Sequence, residues 1–383
     1  MKIKKIPLQA PGVDLLAAID RRVKRVSTQS LDISFNELYD MKRDGEINIT
    51  PEYQRLFRWS DGAQSRFIES LLLEMPVPPI FVLEEEDGRY VLIDGLQRIS
   101  SYLHLRGVLD APYLDPPVKQ GEFLTLVDCD IVPELNGRDY NSLGTTLQIR
   151  LKRAFIRVEV VRKGSDAHFK YHMFKRLNTG GINLTPQQMR NCTIRLLDAT
   201  FNDFIKSLCS DKNFRECIDS ITEEQKLGAY DEELALRFFA FKNDIARFRH
   251  DVSDFMTEYM ESVSDPDIEN AFDYDSEEAI FKKTFAVLCA TLGDKAFARA
   301  GKTGSLTKGF TVYHYESFTI GLQPLLSTLN PKDRAQMSQL REILTKVKQD
   351  AAFIGMTTGG GKNSPGPLRS RIKFVTEAVE AGL

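Results

Sequence analysis

The sequence predicts an α+β protein: an arm over residues 1–30, an α/β domain over 31–165 and a mostly α-helical domain over 166–383. Up to about residue 162, short β-branched and aromatic runs interleave with helix-spaced segments, which fits an α/β or α+β layer. From His168 onward the apolar residues recur mostly with the 3.6-residue period of a helix. A chain of 383 residues is also too long for one ordinary core, so two domains are expected.

The arm carries one basic run, Arg21-Arg22-Val23-Lys24-Arg25, read as a solvated surface. Ser34 suits a helix cap, and Phe35, Leu38 and Tyr39 then share one side of a helix over 35–43. A short strand over 46–49 leads to Thr50-Pro51, which fit the cap and first position of another short helix. Gln54, Arg55 and Arg58 fall three and four apart on it and share a side. Trp59, the single tryptophan, reads as a core anchor in preference to a base-stacking platform.

Phe67, Ile68, Leu71 and Leu72 give helical spacing over 63–73. The prolines at 76, 78 and 79 end that helix and force an extended path into a strand over 80–83. Glu84-Glu85-Glu86-Asp87-Gly88 reads as a hairpin turn of solvated charge, returning through 89–93.

That returning strand holds the most informative junction. Val91-Leu92-Ile93 runs into Asp94-Gly95, and a helix pattern starts at once with Gln97 and Arg98 in its first turn. The first N–H groups of a helix lack partners and carry the positive end of its dipole, so anions settle there. An arginine adds a forked donor suited to phosphate. Gly95 lets a phosphate approach the backbone closely, and Gln97 is placed to orient a water or bond a phosphate oxygen. Asp94 reads as a helix cap ahead of a metal ligand, and no residue is assigned to a metal.

Residues 110–147 read as short strands and polar loops, with 123–127 the best strand among them; 155–161 is the clearest strand of all. Helices follow over 169–177, 186–198, 201–208, 232–248, 252–260, 276–293 and 331–347, with loops at 261–275 and 298–309. Asn178-Thr179-Gly180-Gly181 joins two helix patterns, either as a glycine C-cap or as a loop whose amides close over a phosphate. Thr185 caps the next helix before Pro186.

Residues 355–364 and Gly301-Lys302-Thr303 both fail the phosphate-loop pattern. The former reads as a loop before a helix over 370–381. Lys362, Arg369, Arg371 and Lys373 form a basic cluster there that is available to phosphates.

A net charge of −3 argues against a DNA-coating protein but leaves room for a local basic cleft. Five cysteines without a C-x-x-C spacing give neither a disulfide framework nor a zinc site. No apolar run approaches 18 residues, so the expectation is a cytoplasmic protein with no membrane partner. His168 and His172 lack the glutamate of a zinc-protease motif, and no G-x-S-x-G elbow exists.

Three stretches, taken together and in order, resemble the N-terminal domain of GmrSD-type restriction endonucleases. They are residues 51–59 (PEYQRLFRW) with 69–82, Asp94-Gly95-Leu96-Gln97-Arg98, and 174–181 followed by 184–191. Leu96 stands where the family usually has a glutamine, and the acid, glycine, second amide and arginine remain.

The resemblance implies a ParB/sulfiredoxin-like nucleotide-binding fold for the first domain. It implies catalytic roles for Asp94, Gln97 and Arg98, and nucleotide contacts from Gln54, Arg55, Arg58, Gly95, Asn178, Thr179 and Gly180. The ligand implied is a nucleoside triphosphate (ATP, GTP or CTP), with or without Mg2+. The activity implied is nucleoside triphosphate hydrolysis in defence against foreign DNA. Relatives of this type often carry a C-terminal HNH nuclease; only His250 and His314 follow residue 200, so a separate nuclease or defence-system partner is expected. A non-enzymatic DNA-binding or adaptor protein on the same fold is the alternative, and direct nuclease action ranks last.

Overall fold

Five strands make one mixed sheet: β1 (Thr28–Ser34), β2 (Ile47–Asn48), β3 (Ile80–Glu84), β4 (Tyr90–Asp94) and β5 (Phe155–Val161), in spatial order β1-β5-β3-β4-β2. The structure, a computed structural model, describes residues 15, 27–49, 59–111, 116–165, 167–177, 185–195, 197–249, 251–267, 272–301 and 305–383. The chain separates into two compact units, Met1–Ile182 and Asn183–Leu383. The architecture is α+β, with the sheet in the first unit.

Strands β1 and β5 run antiparallel, as do β3 and β4, whereas β3 and β5, and β2 and β4, run parallel. Side chains alternate across a strand, so Ile156, Val158 and Val160 of β5 are buried while Phe155 and Arg157 face outward. Ile80, Val82 and Leu92 join the buried face. Register sets Ser30, Glu159, Phe81 and Asp94 in one row across four strands, on the outward side.

Among the described residues the first unit adds five helices: α1 (Phe35–Arg43), α2 (Asp61–Leu72), α3 (Leu96–Leu105), α4 (Gly144–Arg153) and α5 (Ala167–Leu177). Ser34 caps α1 by accepting the Glu37 N–H at 3.1 Å, and Ser60 caps α2. Phe35, Leu38, Ile68, Leu71, Ile99, Tyr102 and Leu103 lay α1, α2 and α3 over the core. Trp59 packs against the same core, edge-on to Phe67, and acts as an anchor.

In the first unit the sequence reading departs from this fold in three places, and in the second it lacks the helices Lys212–Cys217, Glu223–Leu227, Val312–Gly321 and Ala351–Thr357. Strand β1 starts at Thr28, inside the expected arm. Residues 123–127 form no strand: Leu124 and Leu126 donate to the carbonyls of His104 and Arg138, and Val127 donates to the Ser65 hydroxyl. Helix α4 occupies ground read as loop. The helix expected at Pro51 lies outside the described residues.

The second unit is built from helices α6 (Pro186–Ile194), α7 (Thr200–Leu208), α8 (Lys212–Cys217), α9 (Glu223–Leu227), α10 (Tyr230–Asp244), α11 (Val252–Ser264), α12 (Tyr274–Leu292), α13 (Val312–Gly321), α14 (Arg334–Gln349), α15 (Ala351–Thr357) and α16 (Pro365–Gly382). Thr185 and Gln188 close a capping box on α6, with Pro186 in its first turn. Phe238, Phe239, Phe281, Phe285 and Tyr315 fill the core between α10, α12 and α13. A buried ladder of charge crosses it: Arg190 pairs with Glu233, Glu233 with Arg237, Arg237 with Glu316, and Glu316 with Arg371.

Candidate phosphate-binding site

Strand β4 ends at Asp94, and Gly95 turns the chain directly into α3 with φ +108°, a conformation side chains rarely adopt. A Cβ built on Gly95 would lie 2.2 Å from Ile80 Cγ2 and 3.4 Å from Arg98 Nη2. The glycine is therefore required twice, by the turn and by the close approach of β3.

The N-cap residue of α3 is Gly95, which has no side chain to cap the helix. Asp94 does not cap the helix, contrary to the sequence reading, because its carboxylate is engaged elsewhere. Arg98 Nη2 donates to Asp94 Oδ2 at 2.8 Å and to the Pro79 carbonyl at 3.2 Å. The acid lies one helical turn before the arginine, so this bond folds the guanidinium back over Gly95. The Arg98 side chain is only 14% exposed, and its buried Nε has no hydrogen-bond partner. A guanidinium with an unpartnered Nε thus lies at the glycine-capped start of α3.

Gln97 points the other way. It is buried, and its Oε1 accepts the Trp59 backbone N–H at 3.0 Å. Gln64 Nε2 donates to the Trp59 carbonyl at 3.0 Å, so two glutamines bracket one peptide residue. The Gln64 Oε1 lies 2.9 Å from His104 Nδ1; since the Gln64 amide nitrogen already donates, the imidazole nitrogen is the donor here. Burial holds His104 below the ordinary histidine range, consistent with a neutral ring.

Asp94, Gly95, Gln97 and Arg98 thus meet at one junction, with Gln97 on its inner side. Gln54, Arg55, Arg58, Asn178, Thr179 and Gly180 lie outside the described residues. Among the described residues no group of three or more His, Cys, Asp or Glu side chains is placed to hold a metal ion.

The basic cluster read at the carboxyl end does not form. Arg371 is buried against Glu316, Arg369 donates to the Ile245 carbonyl and Lys373 pairs with Glu377 one turn along α16. A different basic surface takes its place in the first unit. A groove of about 790 Å³ is lined by Arg150, Arg153, Phe155, Arg157, Ile149 and Met75 among others, and it reaches Pro79. Phe155 is 66% exposed, and Arg150 and Arg157 pair with the exposed acids Glu74 and Asp32. The signal was present as four cations within residues 150–157, but they sit on a helix and a strand that only the fold brings together.

Residues 35–195 match the family model described as GmrSD restriction endonuclease, N-terminal domain. That segment is a GmrSD-type N-terminal domain. The match includes the Asp94–Arg98 junction and points to a restriction or defence role. No curated protein and no solved structure matches the chain. No helix among the described residues is long and apolar enough to cross a membrane.

Proposed function

We propose that the Asp94–Arg98 junction grips the phosphates of a nucleoside triphosphate, and that the protein is a nucleotide-dependent member of a GmrSD-type defence system. The observation that carries this reading is the Arg98 guanidinium with its unpartnered Nε, tethered by Asp94 at the glycine-capped start of α3. A mixed sheet with an Asp-Gly turn from strand into helix also suits the ParB/sulfiredoxin-like fold that the sequence suggests.

In this reading Arg98 and the first N–H groups of α3 neutralise phosphate charge, and Asp94 orients Arg98. Gln97 acts as a positioning residue by fixing Trp59 and hence the end of the 51–59 segment, which carries Gln54, Arg55 and Arg58. Electrostatics and positioning supply most of the catalysis in phosphoryl transfer, so a hydrolase of this kind needs little else from the protein.

The test is thermal shift with ATP, GTP and CTP, with and without Mg2+, followed by phosphate release. A ligand that binds only the folded state raises its melting temperature. The wild type is expected to shift with at least one nucleotide, and Arg98→Ala to lose both the shift and the turnover. An unchanged response in a folded Arg98→Ala protein overturns the assignment.

A second reading, contact with DNA, is favoured by Phe155 standing exposed among Arg150, Arg153 and Arg157. Guanidinium groups beside an exposed ring suit a phosphate backbone and an unstacked base. A salt-titrated DNA-binding assay on Arg153→Ala and Phe155→Ala, run with and without nucleotide, tests it. Equal affinity in the variants and the wild type removes the groove from the account.

A further inference from the structure

Helix α8 packs on α12 through Phe214, whose ring centroid lies 5.2 Å from that of Phe281 and 4.8 Å from that of Phe285. Cys217 follows Phe214 by three positions and Cys289 follows Phe285 by four, so each cysteine continues the face its helix turns to the other. The Cys217 sulfur reaches the Phe285 carbonyl at 3.9 Å. In an α-helix that carbonyl accepts the N–H four residues on, which belongs to Cys289. That places the two thiols on facing turns of the packed helices, where each alters the acidity of the other. Cys217 is buried and Cys289 is partly exposed, and neither is in a disulfide.

We propose that Cys217 and Cys289 form a dithiol that a hydroperoxide closes to a disulfide, making this helix pair a site of reversible oxidation. The neighbouring thiol, with burial, lifts Cys217 well above the ordinary range, while the Cys217 thiol draws Cys289 below it. Cys289, the more exposed of the two, is therefore the attacking sulfur. Its thiolate attacks one peroxide oxygen, the O–O bond breaks, and the other oxygen leaves as an alcohol or water after taking a proton. The product is a sulfenic acid at Cys289. The Cys217 sulfur then attacks that sulfur, the S–O bond breaks, and hydroxide leaves as water with the Cys217 proton. In sum, two thiols and one hydroperoxide give one disulfide, one alcohol and one water, with two electrons passing to the peroxide.

Disulfide geometry requires the two Cβ atoms to approach within about 3.5–4.5 Å, which facing positions on packed helices can reach by side-chain rotation. The bridge would tie together positions 72 residues apart (289 − 217), restricting the unfolded chain and raising the melting temperature of this unit. Cys209 is a different case: it lines a separate pocket with Asp231 and Arg215, and burial pushes its thiol up, away from reactivity.

The test uses the full chain, reduced and desalted, exposed to one equivalent of hydrogen peroxide, blocked with maleimide and digested with trypsin without reductant. Residues 216–226 (ECIDSITEEQK) and 284–295 (TFAVLCATLGDK) each hold one of the two cysteines and no other. They are expected as a single cross-linked species that dithiothreitol separates. In Cys217→Ser, dimedone is expected to trap the sulfenic acid on Cys289. Recovery of both wild-type peptides as separate maleimide adducts overturns the proposal. So does a sulfinic acid at Cys289 beside an intact, maleimide-blocked Cys217.

Discussion

Gln97 accepts the backbone N–H of Trp59 at 3.0 Å, joining the first turn of α3 to a residue 38 positions earlier. Gln97 is buried and Trp59 half-buried against the core, so the bond fixes where the 51–59 segment ends. Truncation at Gln97→Ala leaves the Trp59 N–H without that acceptor, which costs about 1–3 kcal/mol. Urea unfolding is expected to show the loss as a lower midpoint with an unchanged slope. A stability equal to wild type would remove Gln97 from its anchoring role.

Gly95→Ala is expected to be harsher than an ordinary glycine substitution. The φ of +108° strains any side chain there, by roughly 1–2 kcal/mol. The added carbon would also press on Ile80 Cγ2, and forcing a methyl group into a packed core costs about 1–3 kcal/mol. At Gly88 φ is +85° with nothing in the way of a Cβ, so Gly88→Ala carries the conformational strain alone. The difference between the two variants in urea unfolding measures the contact with Ile80.

Local features of this chain were legible because their causes are local. Ser34 and Thr185-Pro186 announce helix starts through capping chemistry, and Asp94-Gly95 announces the turn into α3. Strand β1 was hidden because only Leu31 and Ile33 are apolar in Thr28–Ser34, as befits an edge strand paired on one side. Residues 123–127 misled for the opposite reason. Leu124 and Leu126 are buried and alternate like a strand, but their backbone partners are scattered loop carbonyls. Arg98 could be placed near a phosphate site from sequence, whereas its tether to the Pro79 carbonyl could not. The Glu316–Arg371 pair was equally invisible, since 55 residues separate its members.

That pair yields its own expectation. Glu316 is fully buried and serves both Arg237 and Arg371, so Glu316→Ala takes the paired carboxylate from Arg371 and leaves Arg237 to Glu233 in the core of the second unit. Removing one partner from a buried ion pair costs about 3–5 kcal/mol. A thermal melt is expected to show this unit unfolding well below the wild-type temperature. A loss smaller than about 1 kcal/mol, the range of exposed pairs, would mean that water reaches the ladder.

His314 gives the second unit an acid sensitivity with a defined sign. Burial, and then the neighbouring Lys348, hold its pKa down to about 3, while its ring nitrogen donates to the Ala298 carbonyl at 2.9 Å. In the unfolded chain the ring titrates near the ordinary value of about 6.5. Between these values the unfolded state binds more protons, so this stabilisation is complete above about pH 6.5 and declines as pH falls toward 3. His314→Gln removes the titration and keeps an N–H donor for Ala298. Urea midpoints between pH 7 and pH 4.5 are expected to fall more steeply for the wild type than for the variant.

Asp94 can be separated from a metal ligand by asking what its charge does to a bound phosphate. At about 6 Å and an effective dielectric of 20–40, a carboxylate repels a unit of phosphate charge by on the order of 1–3 kcal/mol. The charge-assisted hydrogen bond by which it orients Arg98 contributes about 1.5–3 kcal/mol net. Asparagine keeps an oxygen acceptor for Arg98, and so part of the tether, whereas it removes the repulsion in full when no metal is present. Asp94→Asn is expected to bind nucleotide in EDTA as tightly as the wild type or up to ~10-fold more tightly, since about 1.4 kcal/mol is a tenfold change. Arg98→Ala is expected to weaken binding in EDTA and in Mg2+ alike. Calorimetric titration of both variants under both conditions checks this. A loss of affinity in Asp94→Asn that appears only with Mg2+ would make the carboxylate a metal ligand, and its bond to Arg98 a feature of the unliganded site.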